Sequence, residues 1–170
     1  MDDTQDPTRI DIRFDPTHQR MVGTATHGWT PFDVPFISEI KPNLWQGGCA
    51  NGLVLPEFIT AVVSLYKWEA YTCHGVPVET VTMYDAAEEP DRAEVERLAQ
   101  LVNDRRGEGH IVLVHCQAGL NRSGLIAATA LVLNGDVDTA TEAIALLRKT
   151  RSPAVLCNPA FAEWLKETYG

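Results

Sequence analysis

The stretch Ile111-Val112-Leu113-Val114-His115-Cys116-Gln117-Ala118-Gly119-Leu120-Asn121-Arg122-Ser123 decides the fold of this chain. Its first four residues are apolar, which is typical of a buried strand. A short loop follows, and a helix-compatible apolar run begins near Ser123. A strand, a tight loop and a helix N-terminus form an anion cradle, because backbone N–H groups and the helix dipole converge on one point. The stretch therefore predicts an anion-binding loop at the end of a buried strand.

Two side chains add chemistry to this cradle. Cys116, at the start of the loop, would lie in the positive field as a thiolate, which is the nucleophilic form. Arg122, at the end of the loop, offers a planar fork that holds two oxygens of a phosphate. Gly119 permits a left-handed turn between them. A buried structural cysteine would explain Cys116 taken alone, but the combination predicts a nucleophile inside a phosphate site.

The pattern His115-Cys116-x5-Arg122-Ser123 resembles the signature of the cysteine-dependent protein tyrosine phosphatase superfamily. The stretch Leu44-Trp45-x-Gly47-Gly48 and the short chain make the sequence similar to the dual-specificity branch of that superfamily. This resemblance extends from about Ile40 to the C-terminus. The predicted order of strands and helices agrees with it.

The resemblance implies hydrolysis of phosphomonoesters through a phosphocysteine on Cys116, with no metal or other cofactor. Ser123 would assist loss of the cysteine, although a helix N-cap is its alternative role. His115 would hold the loop and tune the thiol. Asn158 would brace the loop, although Asn158-Pro159 also fits a helix cap and first turn. The residues implied in phosphate binding are Gln117, Ala118, Gly119, Leu120, Asn121 and Arg122.

The general acid of such a reaction must be a carboxyl that reaches the leaving oxygen. Asp85 follows a predicted strand, and the family places its acid in the loop between that strand and the helix before the signature. Asp91 is the main rival, but Asp91 and Glu94 form an N-cap box that already explains Asp91. Glu88 and Glu89 are longer and suit a solvated loop. We therefore predict that Asp85 is the proton donor.

Other ionisable residues are given no role by the sequence. A basic run near a predicted helix C-terminus is expected on a solvated face, and it comprises Arg148, Lys149 and Arg151. The remaining histidines show no ligand spacing, and they are His18, His27, His74 and His110.

The composition excludes several classes of function. The chain has 170 residues, 45% of them hydrophobic and 22% charged, which suits one globular domain. Its net charge of −9 argues against a nucleic-acid partner, since such binding needs a basic face. No apolar run reaches membrane-spanning length, and the acidic N-terminus lacks a signal-peptide core. The four cysteines lack the spacing of a metal site or a disulfide framework, which suits a reducing compartment. Taken together, these features predict a cytoplasmic protein without membrane or nucleic-acid partners.

The order of predicted elements indicates an α/β fold. Residues 1–35 are predicted as an N-terminal arm, partly disordered at its start or docked through residues such as Phe32 and Val34. Residues 36–170 form the predicted phosphatase-like catalytic domain. The patterns predict strands and helices in alternation, with strands at 44–48, within 58–66 and at 77–84, and helices around 95–102, at 125–133, from about 138 and after 159. They give a single domain with a central, mostly parallel sheet flanked by helices.

The loop residues also bear on the substrate. Four positions between the cysteine and the arginine are neutral, namely Gln117, Ala118, Leu120 and Asn121. Inositol-lipid members of the family usually carry lysines there, so the loop favours one phosphate on a protein side chain. Phosphotyrosine is the expected substrate, with phosphoserine and phosphothreonine as further candidates.

Several alternatives stay open at this point. They are a phosphoinositide phosphatase, an RNA 5′-phosphatase, a rhodanese-like sulfur transferase and a phosphate-binding module without turnover. The sequence also leaves open the physiological substrate, the oligomeric state, the role of the arm and any redox pairing of Cys116 with Cys73 or Cys157.

Overall fold

The computed structural model describes residues 4–170 and contains two sheets. The first is an antiparallel sheet near the N-terminus, with strands in the order β1 (Ile12–Asp15), β2 (Arg20–Ala25) and β3 (Thr30–Pro35). The disordered start expected for the arm falls on Met1–Asp3, which lie outside the described residues.

The sequence did not predict the strands of this first sheet. Strand β3 contains Pro31 and ends at Pro35, and each proline removes a backbone N–H donor from the strand. The inner face is nevertheless apolar: Met21 pairs with Val34 across β2 and β3, and both side chains are fully buried. Phe32 is buried as well, and these three side chains belong to the same hydrophobic core as the central sheet.

The second sheet is central and carries the anion-binding loop. Its five strands are β4 (Ile37–Lys41), β5 (Leu44–Gly47), β6 (Ala61–Ser64), β7 (Val78–Thr80) and β8 (Val112–His115). They lie in the order β4-β5-β8-β6-β7. Only the β4–β5 pair is antiparallel, and the other three pairs are parallel. This confirms the predicted mostly parallel sheet, with the signature strand at its centre.

The part of the chain that the structure describes has four α-helices, α1 (Arg92–Gly107), α2 (Arg122–Leu133), α3 (Ala140–Thr150) and α4 (Pro159–Tyr169). Helices α1, α2 and α3 pack on the central sheet, and α4 packs on α2 and α3. The Asp91 carboxylate caps α1 by accepting from the backbone N–H groups of Ala93 and Glu94, as the sequence predicted. Helix α2 is buried over most of its length, which its apolar composition also predicted. Thr139 caps α3 and Asn158 caps α4 through their side-chain oxygens.

Within residues 4–170, the structure has no helix that is both long enough and apolar enough to cross a membrane.

Candidate active site

The centre of the site is the loop between β8 and α2. The strand is fully buried between β5 and β6, so it delivers Cys116 to the interior end of the loop. Gly119 has a φ of +73°, and a Cβ there would collide with the backbone of Gly47. Helix α2 begins at Arg122, so its free N–H groups and its dipole face the loop.

Cys116 lies beside a polar side chain on α2. Its Sγ is 3.3 Å from the Ser123 hydroxyl oxygen, and both residues are buried. The Ser123 oxygen also accepts a hydrogen bond from the Gln46 amide at 3.1 Å. The thiol form of Cys116 donates to this oxygen, and in the thiolate form the one proton of the Ser123 hydroxyl is available to the sulfur. Ser123 is the second residue of α2 rather than its N-cap, so the cap alternative is wrong.

The Arg122 guanidinium is buried and held on one edge. Its Nη1 donates to the Asp6 carboxylate at 2.8 Å and to the carbonyl of Met83 at 3.0 Å. Its carbon lies 5.4 Å from the centre of the Tyr66 ring. Its Nε is buried without a hydrogen-bond partner among the described residues. A buried N–H of this kind is costly to leave unpaired, so it marks a place for an acceptor.

Asp85 follows the end of the β7 region and turns its carboxylate toward the same loop. Oδ1 accepts from the Asn158 amide at 2.8 Å, and Oδ2 accepts from the Asn121 amide at 3.0 Å. His27 Nε2 lies 3.2 Å from Oδ1. Burial by itself raises the pKa of Asp85, but the hydrogen bonds from His27 and Asn158 outweigh burial and lower it.

The rival carboxyls lie elsewhere. Asp85 lines the cavity that also contains Cys116 and Arg122, whereas Asp91 lies in a different depression with Glu88 and Glu89. Asp91 is also occupied as the α1 cap. Among the described residues, Asp85 is thus the carboxyl that shares the cavity with the nucleophile.

The cavity itself has a wall from the N-terminal segment, formed by Thr8 and Ile10. The Gln117 side chain fixes this wall, because its amide oxygen accepts from the Ile10 N–H at 3.0 Å and its amide nitrogen donates to the Ile10 carbonyl at 2.7 Å. The cavity volume is about 10 Å³, which is room for about one water molecule. A phosphate group is larger than this volume, so its entry requires part of the lining to open.

His115 is a buried residue that contacts the backbone at the start of the loop. Its Nδ1 is 3.2 Å from the Cys116 carbonyl, and the edge of its ring meets Tyr71 at a centroid distance of 5.1 Å. Burial lowers the pKa of His115 to about 4, so the ring is neutral at physiological pH and its Nδ1–H donates to the carbonyl.

Arg151 is the strongest departure from the sequence prediction. It was expected on a solvated face, but its side chain is buried against the back of the loop. It donates to the carbonyls of Gly119 at 2.7 Å and Ala118 at 3.0 Å, and to the Ser38 hydroxyl at 3.0 Å. These bonds hold two carbonyls of the loop on the side of Arg151, which does not line the cavity.

Asn158 has the helix-cap role that the sequence offered, and its other side-chain contacts are with Asp85 and Ala86. Its side-chain oxygen caps α4 by accepting from the N–H of Ala160. Its backbone N–H donates to the Asn121 side chain at 2.9 Å, and its amide nitrogen donates to Asp85. The contact with the loop therefore runs through Asn121, and the direct side-chain contact is with Asp85.

The sequence assigned no function to three residues that contact the site: Asp6, Thr8 and His27. They contact Arg122, the Asp85 N–H and the Asp85 carboxylate respectively. All three come from the arm, whose position on the domain is a tertiary contact that no local pattern encodes. Among residues 4–170 no group of three or more His, Cys, Asp or Glu side chains could hold a metal ion, and all four cysteines are free thiols.

A cysteine, an arginine and a hydroxyl around a strand–loop–helix cradle define the class of cysteine-dependent phosphatases. Comparison with known proteins agrees, because a family model for the catalytic domain of dual specificity phosphatases matches residues 58–170. The chain belongs to the dual specificity phosphatase family. This confirms the resemblance drawn from His115–Ser123.

Two relatives illustrate the similarity. Dual specificity protein phosphatase 12 of Mus musculus is 30% identical over 139 residues, which are 77% of this chain and 40% of the mouse protein. The putative tyrosine phosphatase 123R of Invertebrate iridescent virus 6 is 24% identical over 131 residues, which are 76% of this chain and 89% of the viral protein. The matched region thus spans 40% of the length of the mouse relative.

Solved structures share the fold. Human DUSP28 superimposes with a TM-score of 0.69 at 19% identity, covering 79% of this chain and 93% of that one. PTPMT1 gives a TM-score of 0.63 at 25% identity, covering 78% of this chain and 93% of that one. The predicted fold class is therefore confirmed.

Proposed function

We propose that this protein hydrolyses phosphomonoesters on protein side chains, phosphotyrosine first, through a phosphocysteine at Cys116. The observation that carries the proposal is the unpaired, buried Nε of Arg122 beside Cys116 in one cavity. A phosphate oxygen is an acceptor that suits this charged donor, and the loop N–H groups and the start of α2 favour the same ligand.

The first chemical step is an in-line attack of the Cys116 thiolate on phosphorus. An S–P bond forms as the bond from phosphorus to the leaving oxygen breaks, and Asp85 gives a proton to that oxygen. Hydrogen bonds lower the pKa of Asp85 in the empty site, so this step relies on the negative charge of the bound phosphate, which favours the protonated carboxyl. Arg122 and the N–H groups of residues 117–122 stabilise the charge on the transferring oxygens.

The second step is hydrolysis of the phosphocysteine. Asp85, now a carboxylate, takes a proton from a water molecule, and the water oxygen attacks phosphorus. The S–P bond breaks and the electron pair returns to sulfur. The Ser123 hydroxyl proton, left free by the Gln46 contact, stabilises the departing thiolate of Cys116.

The lining of the cavity supports a substrate with one phosphate group. Among the described residues, those that line it include a single cation, the Arg122 guanidinium, and no lysine. The lining therefore offers no second cation to bind a lipid headgroup that carries several phosphates. Phosphoinositides are the alternative class to test, because PTPMT1, a structural neighbour, has been solved in complex with PI(5)P.

The test compares wild type with Cys116→Ser on p-nitrophenyl phosphate in the presence of a metal chelator. We expect phosphate release by the wild-type protein only. A panel of phosphotyrosine, phosphoserine and phosphothreonine peptides, with PI(5)P vesicles alongside, then ranks the substrates by kcat/KM. Faster turnover of the lipid would overturn the protein-substrate proposal, and a folded protein with no turnover of any phosphoester would support a binding module.

A further inference from the structure

The N-terminal segment reaches the active site although it lies outside the region matched by the family model, residues 58–170. Its contact with the phosphate-binding arginine is fully buried. The side chains of Arg122 and Asp6 are 3% and 0% exposed, and the Nη1–Oδ2 distance is 2.8 Å. A charged pair this deeply buried is held only where its geometry is well matched.

The contact occupies one edge of the guanidinium and leaves the other edge free. Nη1 has two protons, and Asp6 and the Met83 carbonyl accept both. Nε stays unpaired. Asp6 is absent from the lining of the cavity that contains Cys116, and it lies instead in a neighbouring depression with Tyr66 and Trp68. The carboxylate therefore binds the guanidinium from outside the cavity.

We propose that Asp6 is a positioning residue for Arg122, and this rests on the proposed function. An arginine side chain has several rotamers, and a phosphate needs its planar fork in one orientation. Asp6 and Met83 fix Nη1, so that the fork presents its remaining donors to the phosphate. The arm thereby contributes to the affinity of the site for an oxyanion.

The opposite role for Asp6 would be to compete with phosphate for Arg122. The two roles predict opposite changes in kcat/KM and in oxyanion affinity when Asp6 is replaced by Asn. If Asp6 positions the arginine, Asp6→Asn lowers kcat/KM and weakens oxyanion binding. If Asp6 competes, the same change raises both, and that result would overturn the proposal.

The experiment measures kcat/KM for p-nitrophenyl phosphate and the inhibition constant of vanadate in Asp6→Asn. We expect a loss of about 10- to 100-fold in kcat/KM, with weaker vanadate inhibition, because a small misplacement of a charge clamp has this cost. Asp6→Glu should recover part of the loss. Asp33→Asn is the matched control, since it removes the charge from the exposed Arg20–Asp33 pair of the N-terminal sheet that follows Asp6 in the chain.

A double-mutant cycle separates positioning from general damage to the fold. In an Arg122→Lys background, Asp6→Asn should have little further effect on vanadate inhibition, because the group it positions is gone. An equal loss in both backgrounds would contradict the inference. If wild type hydrolyses phosphoesters and Asp6→Asn matches it, this inference fails while the proposed function stands. If wild type is inactive, the proposed function fails.

A separate contact carries a second proposal, for His27. This residue lies in a short 3₁₀ turn, His27–Trp29, between β2 and β3. Its Nε2 lies 2.9 Å from the Asp85 carbonyl and 3.2 Å from the carboxylate oxygen Oδ1. Both side chains are largely buried, at 13% and 16% exposure. The ring therefore bridges the backbone and the carboxylate of one residue.

We infer that His27 is a positioning residue for Asp85 as general acid. One N–H shared between these two acceptors fixes the side-chain torsion of Asp85, and the amides of Asn121 and Asn158 complete the set. Without the ring, Asp85 gains freedom to turn from the leaving oxygen. The loss of kcat/KM should then be larger for leaving groups that depend more on protonation.

The test measures kcat/KM of His27→Gln for aryl phosphates whose phenols differ in acidity. We expect a small change with acidic phenols and a loss of about 10-fold or more with weakly acidic ones, in the same direction as Asp85→Asn. His18→Gln, which alters an exposed histidine of the same sheet, is the control. A uniform loss across all phenols would contradict the inference, and absence of leaving-group dependence in Asp85→Asn itself would instead count against the proposed acid.

Discussion

Arg151 donates from its Nε to the carbonyl of Gly119 across 2.7 Å, deep behind the phosphate-binding loop. Burial lowers the pKa of Arg151 to about 10, so the guanidinium still carries its charge at neutral pH. One side chain from the end of α3 thus ties the loop to the N-terminal half, since it also donates to Pro35 and Ser38. The conformation of the loop therefore depends on a residue that never enters the cavity.

Arg151→Met should destabilise the protein by about 3 kcal/mol or more, because several buried acceptors would lose a charged donor. Urea unfolding followed by tryptophan fluorescence measures this. The exposed neighbour Lys149 provides the control, and Lys149→Met should stay within about 0.5 kcal/mol of wild type. Equal effects of the two substitutions would show that Arg151 does not stabilise the loop.

Asp85→Asn should lower kcat by about 100-fold or more on aryl phosphates with weakly acidic phenols, because the leaving oxygen departs without a proton. Asp91→Asn should change kcat little and lower stability by about 1 kcal/mol, since Asp91 caps α1. Steady-state kinetics and thermal unfolding of the two variants measure this. The reverse pattern, with Asp91→Asn inactive and Asp85→Asn unchanged, would refute the assignment.

Gln117→Ala should loosen the wall of the cavity, because the Gln117 amide makes both hydrogen bonds to the Ile10 backbone. We infer that this wall is the part of the lining that opens for a phosphate, so we expect a lower KM for bulky aryl phosphates and little change in kcat. Gln100→Ala, on the exposed face of α1, is the control. A raised KM would mean that the Gln117 side chain binds the substrate rather than the wall.

His115 predicts a pH dependence of stability. Its pKa is about 4 in the folded protein and near 6.5 when exposed, so between these values the unfolded chain binds more protons. Stability should fall as pH drops from 6.5 to 4, by up to about 3 kcal/mol from this group. His27 acts in the opposite sense, because its hydrogen bond with Asp85 raises the pKa of His27. The stability that protonated His27 contributes is therefore lost as pH rises.

Chemical denaturation of wild type and His115→Asn between pH 4 and 7.5 isolates the His115 contribution. The stability difference between the two proteins should shrink or reverse toward pH 4, since the Asn side chain takes up no proton. His74→Asn, at an exposed position, should track wild type throughout. A constant difference across the range would show that His115 is not buried in its neutral form.

The parts of the site that the sequence predicted are those that lie close together along the chain. Cys116, Arg122 and Ser123 share one loop, so their spacing alone placed them in one cradle. Asp85 was predicted because the family resemblance places the acid in the loop after this strand, and because the rival Asp91 has a sufficient role as a helix cap. Its strand is shorter than predicted, since β7 covers only Val78–Thr80 of the expected 77–84, yet Asp85 lines the cavity.

The missed parts depend on long-range packing. Arg151 follows a helix with a polar face, and a pattern of that kind does not distinguish a solvated cation from one buried against loop carbonyls. Asp6 and His27 belong to the arm, where prolines and short strands weaken the alternation of β3. Their partners Arg122 and Asp85 lie 116 and 58 positions away in the chain. Only the docked sheet brings them together.

The central claim is that Cys116 forms a covalent phosphoenzyme. Rapid acid quench of the protein during turnover of a phosphotyrosine peptide, followed by mass spectrometry of the proteolytic fragments, tests it directly. We predict a phosphate adduct on the fragment that contains Cys116, with more adduct in Ser123→Ala because hydrolysis of the intermediate slows. Steady turnover with no adduct on Cys116 in either protein would contradict the mechanism.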